Sequence, residues 1–485
     1  MNSEQLFDAI GMAEDEMVQK AGHIKKKFWR KKSFYGAVAA VLVISLGLGV
    51  LWKAKGPSYS VLKAYDMAEA VYPEIKKMPS EDEYITPDGE WDDEAWESHY
   101  EAWEADKETQ LAYFNESIDL TSFYKESMSE FLSGKDGENV VFSPLNLYIA
   151  LAMLAETAEG DSRTQILSLL GTESIEQLRK DVVALWNSNY SDDGTLTCIL
   201  ANSLWLNESV EFKQETMDRL ADTYYASSYR GNPTTEQFNQ ALRDWLNEQT
   251  GGLLKDMTEN VQMDAETVLA LASTVYFNAQ WTEEFRKNNT EPETFYAAEG
   301  EITCDFMKES TSDMFYWGER FSATEKRFQG YRGRSSMWFI LPDEGVSPEE
   351  LLADEETMEF LLSDGGWDNS KFLTINLAVP KFDVQSQIDL THGLQNLGVT
   401  DAFDRSRADF SPVTDMPLYV TSATHGARVC IDEEGCTAAA FTVIMDAGAA
   451  MPPEEEVDFI LNRPFLFVIT SEVGMPLFVG IVNTP

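Results

Sequence analysis

The chain has 485 residues, of which 37 are Lys or Arg and 83 are Asp or Glu, so its formal net charge is −46. This charge argues against a nucleic-acid partner, because phosphate binding needs clustered basic side chains. A content of 44% hydrophobic and 12% aromatic residues is typical of a folded protein and not of a disordered acidic tail. The four cysteines (Cys198, Cys304, Cys430 and Cys436) have no paired short spacing, so the sequence indicates neither a disulfide scaffold nor a zinc site.

An uncharged run of 19 residues, FYGAVAAVLVISLGLGVLW, occupies positions 34–52. As a helix it reaches about 28 Å, which matches the hydrocarbon core of a membrane. Six basic residues lie within 25–32, whereas only Lys53 and Lys55 follow closely. This asymmetry predicts a signal anchor in the cell membrane, with residues 1–33 in the cytoplasm and the rest of the chain outside. A cleaved signal peptide is the alternative, but no small-x-small site closes the run before Lys53.

Residues 53–110 read as an acidic, aromatic stalk. Positions 81–108 hold thirteen acidic residues against one lysine. Within them Trp96, His99, Tyr100 and Trp103 fall on one helical face, which a purely solvated spacer does not need. We expect this stripe to pack on the folded domain; binding to another surface molecule is the alternative.

Residues 111–485 contain no linker or repeat and are predicted to form one domain. Helical periodicity marks 123–132, 145–159 and 237–246. Strand-like runs are predicted at 198–206, 268–277, 337–341, 372–382, 427–431 and 465–469. Helices early and long strands later, without regular alternation, indicate an α+β fold with a largely antiparallel sheet.

The usual signatures of catalysis are missing from the sequence. It contains no GxSxG, HExxH or GxxxxGK[ST] motif and no dinucleotide glycine fingerprint after a strand. Only His392 and His425 are available in the domain as general bases. We therefore predict no catalytic residues, metal or cofactor; an enzyme is unsupported by these motifs but not excluded by them.

The segment 431–459, IDEEGCTAAAFTVIMDAGAAMPPEEEVDF, is unusual for a loop. Between the turn at 432–435 and Pro452, the stretch 436–451 holds one charge, Asp446, among small and β-favouring side chains. A short alanine-rich helix is one interpretation. The other is a loop that must be able to become a buried strand.

Several separated motifs resemble the serpins over essentially all of residues 111–485. They are NVVFSPLNLYIALAMLAETAEG (139–160), STVYFNAQWTEEF (273–285), VPKFDV (379–384), LGVTDAFDRSRADFS (397–411), NRPFLFVI (462–469) and PLFVGIVNTP (476–485). The resemblance implies the serpin fold, with three β-sheets, eight or nine helices and an exposed reactive-centre loop.

The resemblance also assigns roles to residues of the loop and of the sheet beneath it. It makes the loop hinge Glu433, Glu434, Gly435, Cys436, Thr437, Ala438, Ala439, Ala440, Phe441 and Thr442. Family spacing places the scissile bond between Ala449 and Ala450, with Met445 or Met451 as alternative specificity residues. The sheet-opening region comprises Ser143, Asn146, Ser273, His425 and Trp281, where Asn146 and Ser273 stand in place of the more usual Ser and Asn.

Small hinge residues are typical of inhibitory serpins. Cys436, Ala438, Ala440 and Thr442 share the parity that an inserted strand would bury. The resemblance thus implies a suicide inhibitor that forms a covalent acyl complex with a serine protease and traps it by loop insertion. The residues around Ala449 indicate an elastase-like or subtilisin-like target with a small pocket. We expect a monomer; the alternative is a non-inhibitory binding protein with the serpin fold at the cell surface.

Overall fold

The computed structural model describes residues 62–79, 84–85, 91–114, 118–134, 137–253, 255–259, 261–263, 267–421, 423–436 and 453–485. The chain divides into two compact units, Met1–Ala64 and Tyr65–Pro485. Only residues 62–64, which form a short turn, are described in the first unit. The predicted cytoplasmic segment 1–33 and anchor 34–52 therefore lie outside the described residues. Within the described ranges, no helix is both long and apolar enough to cross a membrane.

The described α-helices of the second unit follow from local capping and periodicity. Ser143 caps α3, since its hydroxyl accepts a hydrogen bond from the backbone N–H of Asn146 at 3.3 Å, and Pro144 is the first helical residue. The helices are α1 (Asp93–Phe114), α2 (Thr121–Leu132), α3 (Pro144–Thr157), α4 (Gly160–Leu169), α5 (Ile175–Asn189), α6 (Gln214–Tyr224), α7 (Glu236–Gln249), α8 (Lys255–Thr258), α9 (Pro348–Leu352), α10 (Glu355–Leu361) and α11 (Thr391–Asn396).

The first sheet carries the loop hinge. Its eight described strands are β1 (Asp66–Ala68), β3 (Ser191–Asp192), β4 (Leu196–Asn207), β5 (Ala226–Gly231), β6 (Leu269–Gln280), β12 (Phe382–Asp389), β13 (Thr424–Ile431) and β14 (Gly435–Cys436). Their order is β1-β5-β4-β6-β14-β13-β12, with β3 paired to β4. Only β4 and β5 run parallel; every other described pair in this sheet is antiparallel.

The second sheet combines strands from before the loop with the last three strands of the chain. Its nine described strands are β2 (Val140–Phe142), β7 (Glu291–Ala297), β8 (Gly300–Trp317), β9 (Phe321–Arg327), β10 (Ser336–Pro342), β11 (Ser370–Pro380), β15 (Glu456–Ile460), β16 (Phe465–Thr470) and β17 (Pro476–Val482). Their order is β15-β11-β8-β9-β10-β16-β17-β2, and β7 pairs with β8. Strand β8 is 18 residues long and pairs with three different strands along its length.

The counts of sheets and helices differ from those expected. The described strands form two hydrogen-bonded sheets instead of three, because β8 continues from its pairing with β7 and β11 to its pairing with β9. After α1, the described part of the chain has ten α-helices instead of eight or nine. Four of these, α8 to α11, span only four to seven residues. The predicted α+β class, with a largely antiparallel arrangement, is confirmed.

Parts of the predicted stalk, residues 53–110, pack on the folded domain. The described residues between 65 and 110 belong to the same compact unit as the rest of the domain. Strand β1 pairs with β5 at the edge of the first sheet. Tyr72 lies 5.4–6.2 Å from the rings of an aromatic box formed by Trp186, Tyr190 and Tyr225. This segment therefore extends both the sheet and the hydrophobic core.

The aromatic stripe of the extension lies on α1, as the spacing predicts. Trp103 is buried, and its ring meets that of Tyr331 edge-on at 6.3 Å. Trp96 and His99 instead contact Tyr84. The expectation that the stripe packs on the folded domain is thus met by Trp103, while its amino-terminal part packs within the extension.

Candidate functional site

The hinge occupies the middle of the first sheet. Gly435 pairs with Gln280 and Cys436 with Ala279 on β6, while Cys436 also pairs with Ile431 on β13. Both β6 and β13 are fully described, and no strand pairing joins them directly. We call the space between them, on the Ser273 and His425 side of β14, the slot. The chain leading into the loop therefore already forms the first two residues of an inserted strand.

Close backbone contact explains why glycine stands at position 435. A Cβ atom built there would lie 2.2 Å from the carbonyl oxygen of Ala279 and 2.8 Å from the Cα of Gln280. Real Cβ atoms do not approach backbone atoms so closely. The next residue, Cys436, is 2% exposed and faces the core. Its inward orientation agrees with the predicted parity. Because the Cys436 thiol is buried, oxidants do not reach it readily.

A tight turn holds the hinge beside Trp281, the residue that follows β6. The Asp432 carboxylate accepts hydrogen bonds from the backbone N–H groups of Glu434 at 2.9 Å and Gly435 at 3.2 Å. The Trp281 ring is fully buried and donates from Nε1 to the carbonyl of Asp432 at 2.9 Å. The backbone N–H of Trp281 donates to the carbonyl of Glu434 at 3.0 Å. Trp281 therefore fixes both ends of the turn.

Glu433 anchors the hinge through its side chain. Its carboxylate lies 2.7 Å from Lys381 Nζ and accepts a hydrogen bond from the Thr290 hydroxyl at 2.8 Å. Burial alone would raise the pKa of Glu433, but these two partners outweigh burial and hold the pKa below its ordinary value. Glu434 points outward and pairs with Lys287 at 2.5 Å. The two glutamates thus tie the turn to η1 (Lys287–Asn289), to Thr290 just before β7, and to Lys381 between β11 and β12.

A second group of hydrogen-bonded residues lies under the sheet near Ser273, away from the hinge. Asn146 on α3 donates from Nδ2 to the backbone carbonyl of Ser273 at 3.2 Å, and the Ser273 hydroxyl donates back to Asn146 Oδ1. The same hydroxyl lies 2.8 Å from Asn202 Oδ1. Asn146 and Ser273, which the resemblance places where Ser and Asn are more usual, form a direct pair between α3 and β6. Their exchanged identities therefore preserve a polar link beneath the slot.

His425 forms the matching link on β13. Its Nε2 accepts a hydrogen bond from the backbone N–H of Ser143 at 3.1 Å, and its ring meets that of Phe142 at 5.2 Å. Burial lowers the pKa of His425 to about 4. The imidazole is consequently neutral at pH 7, as its acceptor role requires.

Between the hinge and these polar links, small, polar and apolar side chains line the slot. The Thr274 hydroxyl is buried and has no hydrogen-bond partner among the described residues. Space for about one water lies beside it, a cavity of 10 Å³ lined by Thr250, Leu253, Thr274, Val275, Gly426, Ala427 and Arg428. The guanidinium of Arg428 donates to the carbonyl of Leu253 at 2.9 Å, so the connection after α7 contacts this side of the slot.

The structure separates the predicted site residues into groups. Ser143, Asn146, Ser273 and His425 meet beneath the slot, whereas Trp281 lies with the hinge at the other end of β6. Ser273 precedes Gln280 by seven residues on that strand, or about 23 Å. Glu433 to Cys436 are in place at the hinge, while Thr437 to Thr442, Ala449 and Ala450 lie outside the described residues. In the described ranges, no group of three or more His, Cys, Asp or Glu side chains is placed to hold a metal ion.

A family model described as Serpin (serine protease inhibitor) matches residues 120–485. The chain belongs to the serpin family. It is 31% identical over 355 residues to alpha-1-antiproteinase 2 of Equus caballus, covering 72% of this chain and 82% of that protein. It is 28% identical over 387 residues to plasminogen activator inhibitor 1 of Sus scrofa, covering 75% and 91% respectively. Serpins are in general serine protease inhibitors and not enzymes.

Solved serpin structures agree with the fold. The native state of the thermophilic serpin tengpin superimposes with a TM-score of 0.67 at 26% identity, covering 76% of this chain and 96% of that one. Thyroxine-binding globulin in complex with thyroxine gives a TM-score of 0.63 at 21% identity, covering 75% and 96%. The second likeness concerns the fold alone.

Sequence reasoning missed several residues that hold the hinge of this serpin. The sequence places Asp432 in a turn and Lys381 in the VPKFDV motif, but it does not indicate that either residue holds the hinge. Thr290 carried no signal, because a single threonine before a strand is common. The DEEG run from Asp432 to Gly435 was the usable signal, since an Asp accepting from the next backbone N–H groups is a frequent turn-former.

Proposed function

We propose that this serpin is a suicide inhibitor of serine proteases with small specificity pockets. The observation that carries the proposal is β14, in which Gly435 and Cys436 already pair with β6 and Cys436 also pairs with β13. Cleavage of the loop would free the following residues to continue this strand into the slot. An acyl-linked protease would then be carried along and distorted before its ester is hydrolysed.

The sequence after Cys436 suits burial in the slot. Ala438 and Ala440 have the same parity as the buried Cys436, and Thr442 continues the series with a small side chain. If each new backbone hydrogen bond contributes about 1 kcal/mol, a dozen inserted residues stabilise the cleaved form by about 10 kcal/mol. Phe441 has the outward parity, where its bulk would slow insertion without preventing it.

The scissile bond is proposed between Ala449 and Ala450, fourteen residues beyond Gly435. A small side chain before the bond fits the shallow pockets of elastase-like and subtilisin-like proteases, whereas trypsin-like enzymes need Arg or Lys. Met445 and Met451 are the alternative positions.

The test is to mix the full chain, purified in mild detergent, with pancreatic elastase and with subtilisin. We expect a complex that survives denaturing electrophoresis, and mass spectrometry should find the loop cut after Ala449. Ala438→Glu should convert the inhibitor into a substrate, because it buries a charge in the slot. Ala439→Glu is the matched control, since its outward side chain should leave trapping intact. Equal behaviour of the two variants would contradict insertion at this parity.

A non-inhibitory serpin-fold binding protein is the competing function. A thermal melt of the cleaved protein distinguishes the two. Insertion raises the melting temperature strongly, while a loop that cannot insert leaves the temperature unchanged.

We also propose that residues 34–52 anchor the protein in the cell membrane with the serpin domain outside. The uncharged run and its basic flank support this placement. Protease treatment of intact cells should then remove the domain and leave residues 1–33 protected.

A further inference from the structure

Three consecutive carbonyls of the hinge turn, at residues 432–434, accept hydrogen bonds from one short segment, residues 281–285, which follows β6. Trp281 donates from Nε1 to the first of these carbonyls at 2.9 Å and from its backbone N–H to the third at 3.0 Å. The backbone N–H of Phe285 donates to the second carbonyl at 3.0 Å. A shift of this segment would therefore loosen all three peptides of the turn at once.

A buried ammonium group lies against the same segment. Lys326 on β9 is only 7% exposed. Its Nζ lies 4.2 Å from the centre of the Phe285 ring and 5.7 Å from that of the Trp281 ring, and both distances are in the range of a cation–π attraction. The same Nζ donates to both carboxylate oxygens of Glu309 on β8, at 2.6 and 2.8 Å. We call Lys326 and Glu309 the lysine clamp.

The lysine clamp is a costly way to fill this space. Burial raises the pKa of Glu309 and lowers the pKa of Lys326, and in each case burial outweighs the attraction of the partner. Such a pair lowers the free energy of unfolding at neutral pH, and apolar side chains of similar volume often do as well or better. A methionine in place of Lys326 would cover the same rings without needing a partner. What the charge adds is a directed attraction to the faces of both rings.

Two other acids act on the lysine clamp. Glu283 lies within the segment 281–285, and Asp313 lies on β8, where it pairs with Arg327 at 3.2 Å. Both acids favour the protonated form of Glu309 and the charged form of Lys326. A proton taken up at this cluster therefore goes first to the clamp, and it removes the carboxylate that holds the ammonium group in place.

We infer that Lys326 is a positioning residue of the inhibitor, which Glu309 holds against the Trp281 and Phe285 rings so that the N–H groups of these two residues stay aimed at the hinge. The inference rests on the proposed function, because the hinge is where insertion begins. The readiness of the loop then depends on an ion pair that lies outside the loop and in the other sheet. Acid that protonates Glu309 unfastens the hinge while the rest of the fold stays intact.

The experiment measures amide hydrogen exchange of Trp281 and Phe285 in the full chain, purified in mild detergent, by mass spectrometry with residue-level fragmentation. These two amides donate to the hinge, so they exchange when the hinge detaches. K326M/E309Q removes both charges and keeps the side-chain volumes. Its free energy of unfolding in urea should equal or exceed that of the parent, yet both amides should exchange about tenfold faster.

K371M/E455Q is the matched control. It removes a Lys–Glu pair of the same two-oxygen geometry, at 2.7 and 2.8 Å, from the other end of the second sheet. It should leave the exchange of both amides unchanged. Faster exchange in this control as well would mean that removing any such pair loosens the segment, and would overturn the inference.

Acidification gives a second measurement that an ordinary packing role would not affect. Between about pH 7.5 and 5, the two amides of the parent should lose protection severalfold as Glu309 takes up a proton, after correction for the intrinsic pH dependence of exchange. K326M/E309Q should show no such loss. Glu433, which also holds the hinge, stays ionised in this range because its pKa is depressed.

Unchanged exchange of the two amides in K326M/E309Q overturns the inference. A loss of protection that only matches a fall in the free energy of unfolding overturns it too, as does the same pH profile in the parent and the variant. With a protease that the parent traps, more molecules of the variant should be cleaved for each protease captured, and equal stoichiometry would separate the lysine clamp from inhibition. If the parent traps neither elastase nor subtilisin, the proposed function fails, whereas the exchange rates still decide whether Lys326 positions the hinge.

Discussion

Gly435→Ala tests whether the hinge must lie within the sheet. The added methyl group would lie 2.2 Å from the carbonyl oxygen of Ala279, about 1 Å inside normal contact, and the obstacle is backbone. Strand β14 must therefore move away from β6. Moving it breaks two or three backbone hydrogen bonds of about 1 kcal/mol each, and it exposes Cys436, which adds about 1 kcal/mol. We expect the variant to be less stable by about 2–4 kcal/mol.

The same change should impair inhibition. Since insertion begins at Gly435 and Cys436, the acyl-enzyme has more time to hydrolyse before it is trapped. More molecules of inhibitor should be cleaved for each protease captured. The assays are urea unfolding followed by tryptophan fluorescence and titration of the stoichiometry of inhibition.

Gly426→Ala is the matched control for stability. Gly426 lies on β13, and the nearest atom to its added Cβ would be the flexible Met257 Cε at an acceptable 3.4 Å. The free energy of unfolding of the Gly426→Ala variant should differ from that of the parent by less than about 1 kcal/mol. If Gly435→Ala unfolds at the same urea concentration as the parent and keeps its stoichiometry, the close contact does not control the hinge.

Three further changes report on other parts of the fold. Tyr72→Ala should destabilise the protein by about 3 kcal/mol, because it empties the aromatic box, and Tyr72→Phe should lose much less; thermal melts give both values. Because the pKa of folded His425 is about 4 against an ordinary 6.5, the unfolded chain binds the proton first, and stability should fall by up to about 3 kcal/mol between pH 6.5 and 4. Unfolding of His425→Gln across this range should show a shallower decline, and an unchanged slope would contradict the assignment. Glu433→Gln should cost about 1–2 kcal/mol at pH 7, a modest figure because Lys381 is partly exposed. Since the pKa of Glu433 is depressed, the difference from the parent should vanish as pH falls below 4.5.

The strands with continuous apolar runs could be predicted closely from the sequence. The run at 268–277 became β6 at Leu269–Gln280, and that at 465–469 became β16 at Phe465–Thr470. Strand β8 was missed because its half-exposed sequence mixes Lys, Glu, Ser and Thr with apolar residues, which masks the alternation. The predicted run 372–382 is two strands, since the chain leaves one sheet at Lys381 and enters the other.

The extension shows a different limit. Acidic composition led to the prediction of a stalk, yet a few apolar anchors such as Tyr72 decide where this segment lies. A single tyrosine gives no periodic signal, so the aromatic box that receives it becomes visible only when three distant parts of the chain are brought together. At the site, motif positions indicated the hinge and the polar residues beneath the slot. The turn made by Asp432 and the ion pair of Glu433 with Lys381 depended on tertiary contacts between segments far apart in sequence.

The absence of direct pairing between the fully described strands β6 and β13 has a consequence for amide hydrogen exchange. Successive N–H groups along a strand point to opposite sides, so β4 protects only alternate amides of β6, and below β14 no other described strand pairs with the rest. Exchange along β6 below β14 should therefore alternate between slow and fast with a period of two residues, and β13 should show the same pattern beside β12. After cleavage and insertion the fast set should become slow. Deuterium uptake would thus record the filling of the slot residue by residue, whichever protease cuts the loop.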